Sequence, residues 1–204
     1  MSTRIFGERV QRNNDERLLT GGGRYVDDIP LSGALHVAFV RSPFARAQII
    51  SIDTSIAKEH PGVIKVYTYK DIGNLDVEMP LLIPHPALHS PKTQRPLAHD
   101  DVFYVGQTVV MVVAIDRYVA EDAARLVDVE YSDPFNCSIE IEEAVLDDAP
   151  LVHPDVPNNV AAHCIQVSGN PDKAFQEAEH YTKLKVRVDR STAAPMECRA
   201  VAAR

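Results

Sequence analysis

Val109-Val-Met-Val-Val-Ala-Ile115, Asp116-Arg-Tyr-Val-Ala-Glu-Asp-Ala-Ala-Arg-Leu126 and Val127-Asp-Val-Glu-Tyr131 follow one another without a gap. Seven apolar residues in a row predict a strand covered on both faces. Asp116 is placed to cap a helix, because its short carboxylate can accept from a free N–H of the first turn. In that helix Val119, Ala123 and Leu126 fall on one side, while Glu121 and Asp122 point outwards. Residues 127–131 alternate polar and apolar, as a half-buried strand does. Strand, helix, strand in this order predicts a βαβ-like unit.

The same order occurs upstream. Residues 35–40 and 48–52 read as strands joined by the turn Arg41-Ser-Pro-Phe-Ala-Arg46. Thr54-Ser-Ile-Ala-Lys-Glu-His60 carries an N-cap followed by a short helical pattern, and Pro61-Gly62 ends it. Residues 63–68 form the next strand. Two such units predict an α+β domain: one mixed sheet with the 117–126 helix packed on it.

Residues 73–95 read as a long irregular connection holding Pro80, Pro84, Pro86 and Pro91. Prolines leave no independent helix or central strand there, so ordering by a partner is the expectation. Residues 147–159, with Pro150, Pro154 and Pro157, read as a linker. Beyond it, 160–167 and 181–188 alternate as strands around a short helix at 171–179. The domain expectation is therefore a main body at 1–148, with an amino-terminal arm at 1–30, and an incomplete second domain at 149–204. Ala202-Ala-Arg204 carries no cap or turn signal, as in an interrupted chain.

The chain has 204 residues, 45% hydrophobic and 25% charged, the balance of a globular protein with a real core. A net charge of −8 with no basic cluster excludes a nucleic-acid footprint. No apolar run reaches the roughly 20 residues that span a bilayer, and Met1-Ser-Thr-Arg-Ile-Phe-Gly lacks the apolar core of a signal peptide. A cytoplasmic location is expected. Cys137, Cys164 and Cys198 stand far apart, without the close pairs that fix a metal bite angle, and read as small buried residues.

Candidate chemistry is sparse. Gly21-Gly-Gly23 is followed by Arg24-Tyr-Val-Asp-Asp28, where two carboxylates would repel a phosphate; a turn is the reading. The pairs Asp27-Asp28, Asp100-Asp101 and Asp147-Asp148 sit next to each other in sequence. Neighbours on an extended chain face opposite ways, so turn and cap roles are expected. His85, His89, His99, His153 and His163 offer metal donors, but Pro86 breaks the helical spacing of the first two. No H-E-x-x-H and no G-x-S-x-G occurs.

Asp15-Glu-Arg-Leu-Leu-Thr-Gly-Gly-Gly-Arg-Tyr-Val-Asp-Asp-Ile-Pro30, Val40-Arg-Ser-Pro43, Tyr104-Val-Gly-Gln107 and Pro195-Met-Glu-Cys-Arg-Ala200 carry a resemblance. They resemble, in order and spacing, the large subunit of the molybdenum hydroxylases: xanthine dehydrogenase, aldehyde oxidase and carbon monoxide dehydrogenase. The resemblance implies an amino-terminal α/β hammerhead domain followed by the first strands of the molybdopterin-binding domain. It implies a non-catalytic scaffold, either a truncation or one piece of a split subunit. The complete enzyme would oxidise aldehydes, N-heterocycles or a related small substrate with oxygen from water. The family's pterin loops and general base lie beyond these residues, so no catalytic, cofactor-binding or metal residue is assigned. The molybdenum–molybdopterin cofactor would belong to the complete subunit, and iron–sulfur clusters and FAD to partner chains. The partners implied are the remainder of the subunit and the iron–sulfur and flavin subunits, with no nucleic acid and no membrane. The other reading is a stand-alone hammerhead-fold binding protein without redox activity.

Overall fold

A computed structural model describes residues 6–189, 191–195 and 197–203. The chain divides into two compact units, Ala34–Gln176 and a smaller one made of Met1–Gly33 with Glu177–Arg204.

In the larger unit six strands form two three-stranded sheets. The first is β1 (His36–Arg41), β5 (Thr108–Ala114) and β3 (Val63–Tyr67), with β5 in the middle. The second is β4 (Asp101–Val102), β2 (Ala47–Asp53) and β6 (Asp128–Tyr131), with β2 in the middle. All the pairings are antiparallel. The α+β class therefore stands, and the single mixed sheet is corrected. The helix α2 (Ser55–Glu59) leads from β2 into β3, and α3 (Arg117–Arg125) leads from β5 into β6. Each helix therefore joins strands of different sheets. Strand–helix–strand order alone does not say that both strands share a sheet, and the antiparallel partners lie far away in sequence.

The strand at 109–115 is found as β5, at the centre of its sheet, with Val110, Val112 and Ala114 fully buried on one face. Asp116 caps α3: its Oδ1 accepts from Val119 N at 2.8 Å. The buried side of α3 carries Ala120 and Ala123, whereas Leu126 is exposed just past the last turn. The core is built of small residues, Ala47, Ala57, Val66, Ala98, Val102, Val109, Val110, Val112 and Ala123, so helix and sheet backbones approach closely. Gly62 shows this at the entry to β3. Its φ is +87°, and an added Cβ would lie 2.9 Å from Ile115 Cδ1. At α2 the expected cap is displaced by one residue: Thr54 makes no side-chain cap, and Asp53 Oδ1 accepts from Ser55 N at 2.9 Å.

The long connection at 73–95 is irregular apart from a 3-10 turn at Gly73–Leu75. Part of it is ordered by the chain itself. Leu88 bridges Ala162, His89 N donates to Ala161 O at 3.0 Å, and His163 N donates to Ala87 O at 3.0 Å. The strands expected at 160–167 and 181–188 are not formed, apart from that bridge; no strand neighbour pairs their backbone, and a strand needs one. The helix expected at 171–179 is present as α5 (Pro171–Glu177), after the short α4 (Ile141–Ala144).

In the smaller unit α1 (Asp15–Leu19) runs into the glycine turn. Gly22 N donates to Arg17 O at 2.7 Å, a helix-ending bond, so the turn reading of these glycines holds. Val26–Asp28 is a 3-10 turn, in which Asp28 Oδ2 accepts from Tyr25 N at 3.0 Å. The cap role expected of the Asp27-Asp28 pair is thus carried by Asp28.

Candidate functional site

In the Ala34–Gln176 unit a pocket of about 840 Å³ opens where the 76–95 connection, the β4 region and residues 152–155 meet. Its back wall is aromatic. The Phe103 and His153 rings lie 4.5 Å apart at 40°. Behind Phe103 the guanidinium of Arg46, nine-tenths buried, lies between Phe103 and Phe135, at 5.1 and 5.2 Å from the ring centres. Arg46 Nη1 donates to Leu151 O at 2.8 Å and to Val152 O at 2.5 Å. A side chain from the β1–β2 turn thus pins the proline-rich segment to the domain. Burial pushes the His153 imidazole below its ordinary pKa, and the Lys92 ammonium adds to this.

The polar walls are carboxylate-rich. Asp76, Glu78, Asp100, Asp101 and Asp155 face the pocket together with Lys92 and Arg95. Both cations are taken. Lys92 pairs with Asp155, and Arg95 Nη1 lies 2.7 Å from Asp76 O and 3.3 Å from its Oδ1. His99 sits between Asp100, with Nδ1 2.8 Å from Oδ2, and Asp76, with Nε2 3.6 Å from Oδ2. The Tyr69 ring lies 3.9 Å from the His99 ring. A wall with this excess of carboxylates repels an anion, so these residues do not fit the phosphate of a pterin cofactor. Of the lining hydroxyls, Tyr104 donates to Gln94 Oε1 at 2.5 Å and Thr93 Oγ1 to Met79 O at 2.5 Å. Neither is set against a base, and among the described residues of the lining no nucleophile–base pair is assembled.

Of the five histidines weighed as metal donors, His99 and His153 reach this pocket. His85 Nδ1 accepts from Ala87 N at 3.1 Å, and His89 and His163 lie in the 85–90 and 161–163 crossing. Among the described residues no group of three His, Cys, Asp or Glu could hold a metal ion. Cys137, Cys164 and Cys198 are exposed, which corrects the expectation that they are buried. Asp100 and Asp101 separate as adjacent residues must: Asp101 pairs in β4 with Gln48, while Asp100 turns to His99. The residue that sequence reading passed over is Arg46. It was visible only as the end of a turn, because the carbonyls it holds lie more than 100 positions away.

Residues 20–134 match the family pattern described as "Aldehyde oxidase and xanthine dehydrogenase, a/b hammerhead domain". The chain belongs to this family. It is 41% identical to the nicotine 6-hydroxylase large subunit of Paenarthrobacter nicotinovorans over 96% of its own length and 24% of that protein's. Quinoline 2-oxidoreductase of Pseudomonas putida 86 is 40% identical in sequence with a TM-score of 0.66, over 75% of this chain and 19% of that one. The Cu,Mo-CO dehydrogenase in its carbon monoxide reduced state is 37% identical with a TM-score of 0.64, over 85% and 22%. The chain spans about a quarter of the length of the curated relatives it matches. Its two antiparallel sheets with α2 and α3 are thus a hammerhead domain, and it resembles part of the large subunit of molybdenum hydroxylases. Among the described residues no helix is long and apolar enough to cross a membrane.

Proposed function

We propose that this chain is the hammerhead scaffold of the molybdenum-binding subunit of a hydroxylase. The carrying observation is that 96% of the chain aligns with only 24% of a large subunit named as a hydroxylase. In this reading the substrate is an aldehyde, an N-heterocycle or a related small molecule, oxygen comes from water, and the enzyme works in the cytoplasm. Molybdopterin, when bound in the complete subunit, supplies the redox chemistry; iron–sulfur and flavin subunits take the electrons. This chain supplies no catalytic, cofactor-binding or metal residue. Its residues hold backbone in place: Arg46 anchors 151–152, and Ser42 N and O bond Gln107 O at 2.9 Å and Gly106 N at 2.8 Å.

The test is metal analysis and a visible spectrum of the purified 204-residue chain. Neither molybdenum, iron nor flavin is expected at stoichiometric level. One molybdenum per chain, or a cluster band in the visible, contradicts the scaffold role.

A further inference from the structure

A buried side chain of the pocket holds a hydrogen-bond donor that no residue uses. Gln107 is only 4% exposed and lines the cavity. Its backbone is fixed from both sides: its N donates to Tyr104 O at 3.2 Å, and its O accepts from Ser42 N at 2.9 Å. Its side-chain Oε1 accepts from Phe103 N at 2.7 Å, which decides which end of the amide is the nitrogen. That nitrogen, Nε2, makes no hydrogen bond among the described residues, and it is not one of the polar atoms sealed inside the protein. Its N–H groups therefore open on the pocket. Buried donors are almost always paired, so this one calls for an acceptor carried by whatever fills the cavity.

The charge of the wall is a separate observation. Five carboxylates against Lys92 and Arg95 leave a formal −3 with the histidines neutral. Arg95, His99 and Lys92 engage three of the five. Glu78 and Asp101 remain without an ion pair among the described residues, and the cation near Glu78 is Lys92, which Asp155 already holds. An inorganic cation does not suit, because no group of three donors could hold a metal ion. The cavity is also of the size that takes small organic ligands, and the stacked Phe103 and His153 give it an apolar wall.

We propose that this pocket binds a small ring-bearing organic cation that also carries a hydrogen-bond acceptor. The acceptor meets Gln107 Nε2, the cation is drawn to Glu78 and Asp101, and the ring packs on the aromatic wall. Main chain laid in the pocket would satisfy Gln107 but bring no charge to the two free carboxylates. The site is read from this chain's residues and goes beyond the scaffold role, which stands with or without it.

The test is a titration of the nitrogen-labelled chain, alone and in the assembly purified through it, followed by nuclear magnetic resonance. The probe is aminomethylpyridine, which joins an ammonium, a ring and an acceptor nitrogen. The Gln107 side-chain amide and the Phe103 N–H should shift in both samples. Benzylamine, without the acceptor, and methylpyridine, without the charge, should each bind roughly tenfold more weakly. Glu78→Gln with Asp101→Asn should cut the affinity for aminomethylpyridine by roughly tenfold and leave that for methylpyridine in place. Gln107→Met should erase the advantage over benzylamine; since it also strips Phe103 N of its acceptor, the carboxylate variant carries the test if that chain fails to fold. Equal binding of the three compounds, full affinity in the carboxylate variant, or shifts that bypass Gln107 overturn the proposal. So does an assembly that no longer binds the probe because polypeptide fills the pocket, a result that leaves the scaffold role standing.

Discussion

The carboxylate of Glu197 accepts a hydrogen bond from Val26 N at 2.9 Å, tying segments 171 residues apart. Val26 opens the 3-10 turn Val26–Asp28, whose first N–H has no partner within the turn. A carboxylate there supplies the missing acceptor and suits the positive end of the turn. Two of the stretches that carried the family resemblance, around Tyr25 and around Glu197, are thus one hydrogen-bonded unit. Glu197→Ala should destabilise this contact by about 1 kcal/mol and Glu197→Gln by less, since the amide keeps an acceptor. Hydrogen exchange at the Val26 amide reads the effect directly. Unchanged exchange in the alanine variant would remove Glu197 from this role.

Arg46 should matter more than its place in a turn suggests. Its guanidinium spans two aromatic rings and two carbonyls of the 151–152 segment. Arg46→Ala should cost roughly 2–3 kcal/mol, combining charged hydrogen bonds with lost packing. Proteolysis should then cut within 147–159 long before the β5 region. Arg46→Lys should not rescue it, because an ammonium cannot stack flat between Phe103 and Phe135. Equal cleavage rates in wild type and variant would refute the anchor.

Val112 lies at the middle of the central strand, with no exposed surface. Val112→Asp places an unpaired carboxylate in the core, at a cost comparable to the stability of a whole domain. The variant should show no cooperative unfolding transition by circular dichroism. Val112→Ala should stay folded but melt earlier, as loss of two methyl groups costs on the order of 1–3 kcal/mol.

What could be read from the sequence followed from how local each signal was. The strands at 109–115 and 63–68, the 117–126 helix and its Asp116 cap depend on neighbours within a few residues, and all are present. The sheet partition was not legible, because β2 takes β6 and β4 as neighbours and no local pattern encodes which distant strand pairs. The cysteines were expected to be buried from residue type and spacing alone, and neither says which segment is covered. The 181–188 segment, which forms no strand, was misjudged for another reason. Alternation marks a segment fit to be a strand but does not supply the neighbour it needs. The pocket of Phe103, His153 and Asp155 joins three loops, and loops carry the weakest periodic signal.

Stability should fall in mild acid through His153. Its folded pKa lies below the ordinary value, first from burial and then from Lys92. As pH drops past about 6.5 the unfolded chain takes up the proton before the folded one does, so stability is lost from there down to the folded pKa. Asp155 and Asp71 are held below the carboxylate range, by the Lys92 hydrogen bond and by the Thr68 N–H respectively. Their contribution is present above about 4 and is lost as pH falls through their folded values. His153→Gln should flatten the first loss and leave the second. Denaturant unfolding from pH 7.5 to 3.5 separates the two. An unaltered profile in the variant would show that another group is responsible.

The scaffold role stands or falls on what the chain is found with in the cell. Native mass spectrometry of the assembly purified through this chain, with molybdenum measured on the same sample, tests it most directly. The account predicts a stable complex in which residues 1–204 accompany polypeptide carrying molybdopterin, and in which stripping this segment away leaves the metal with the rest. A lone, stable 204-residue species, or molybdenum that follows residues 1–204 after dissociation, would contradict it.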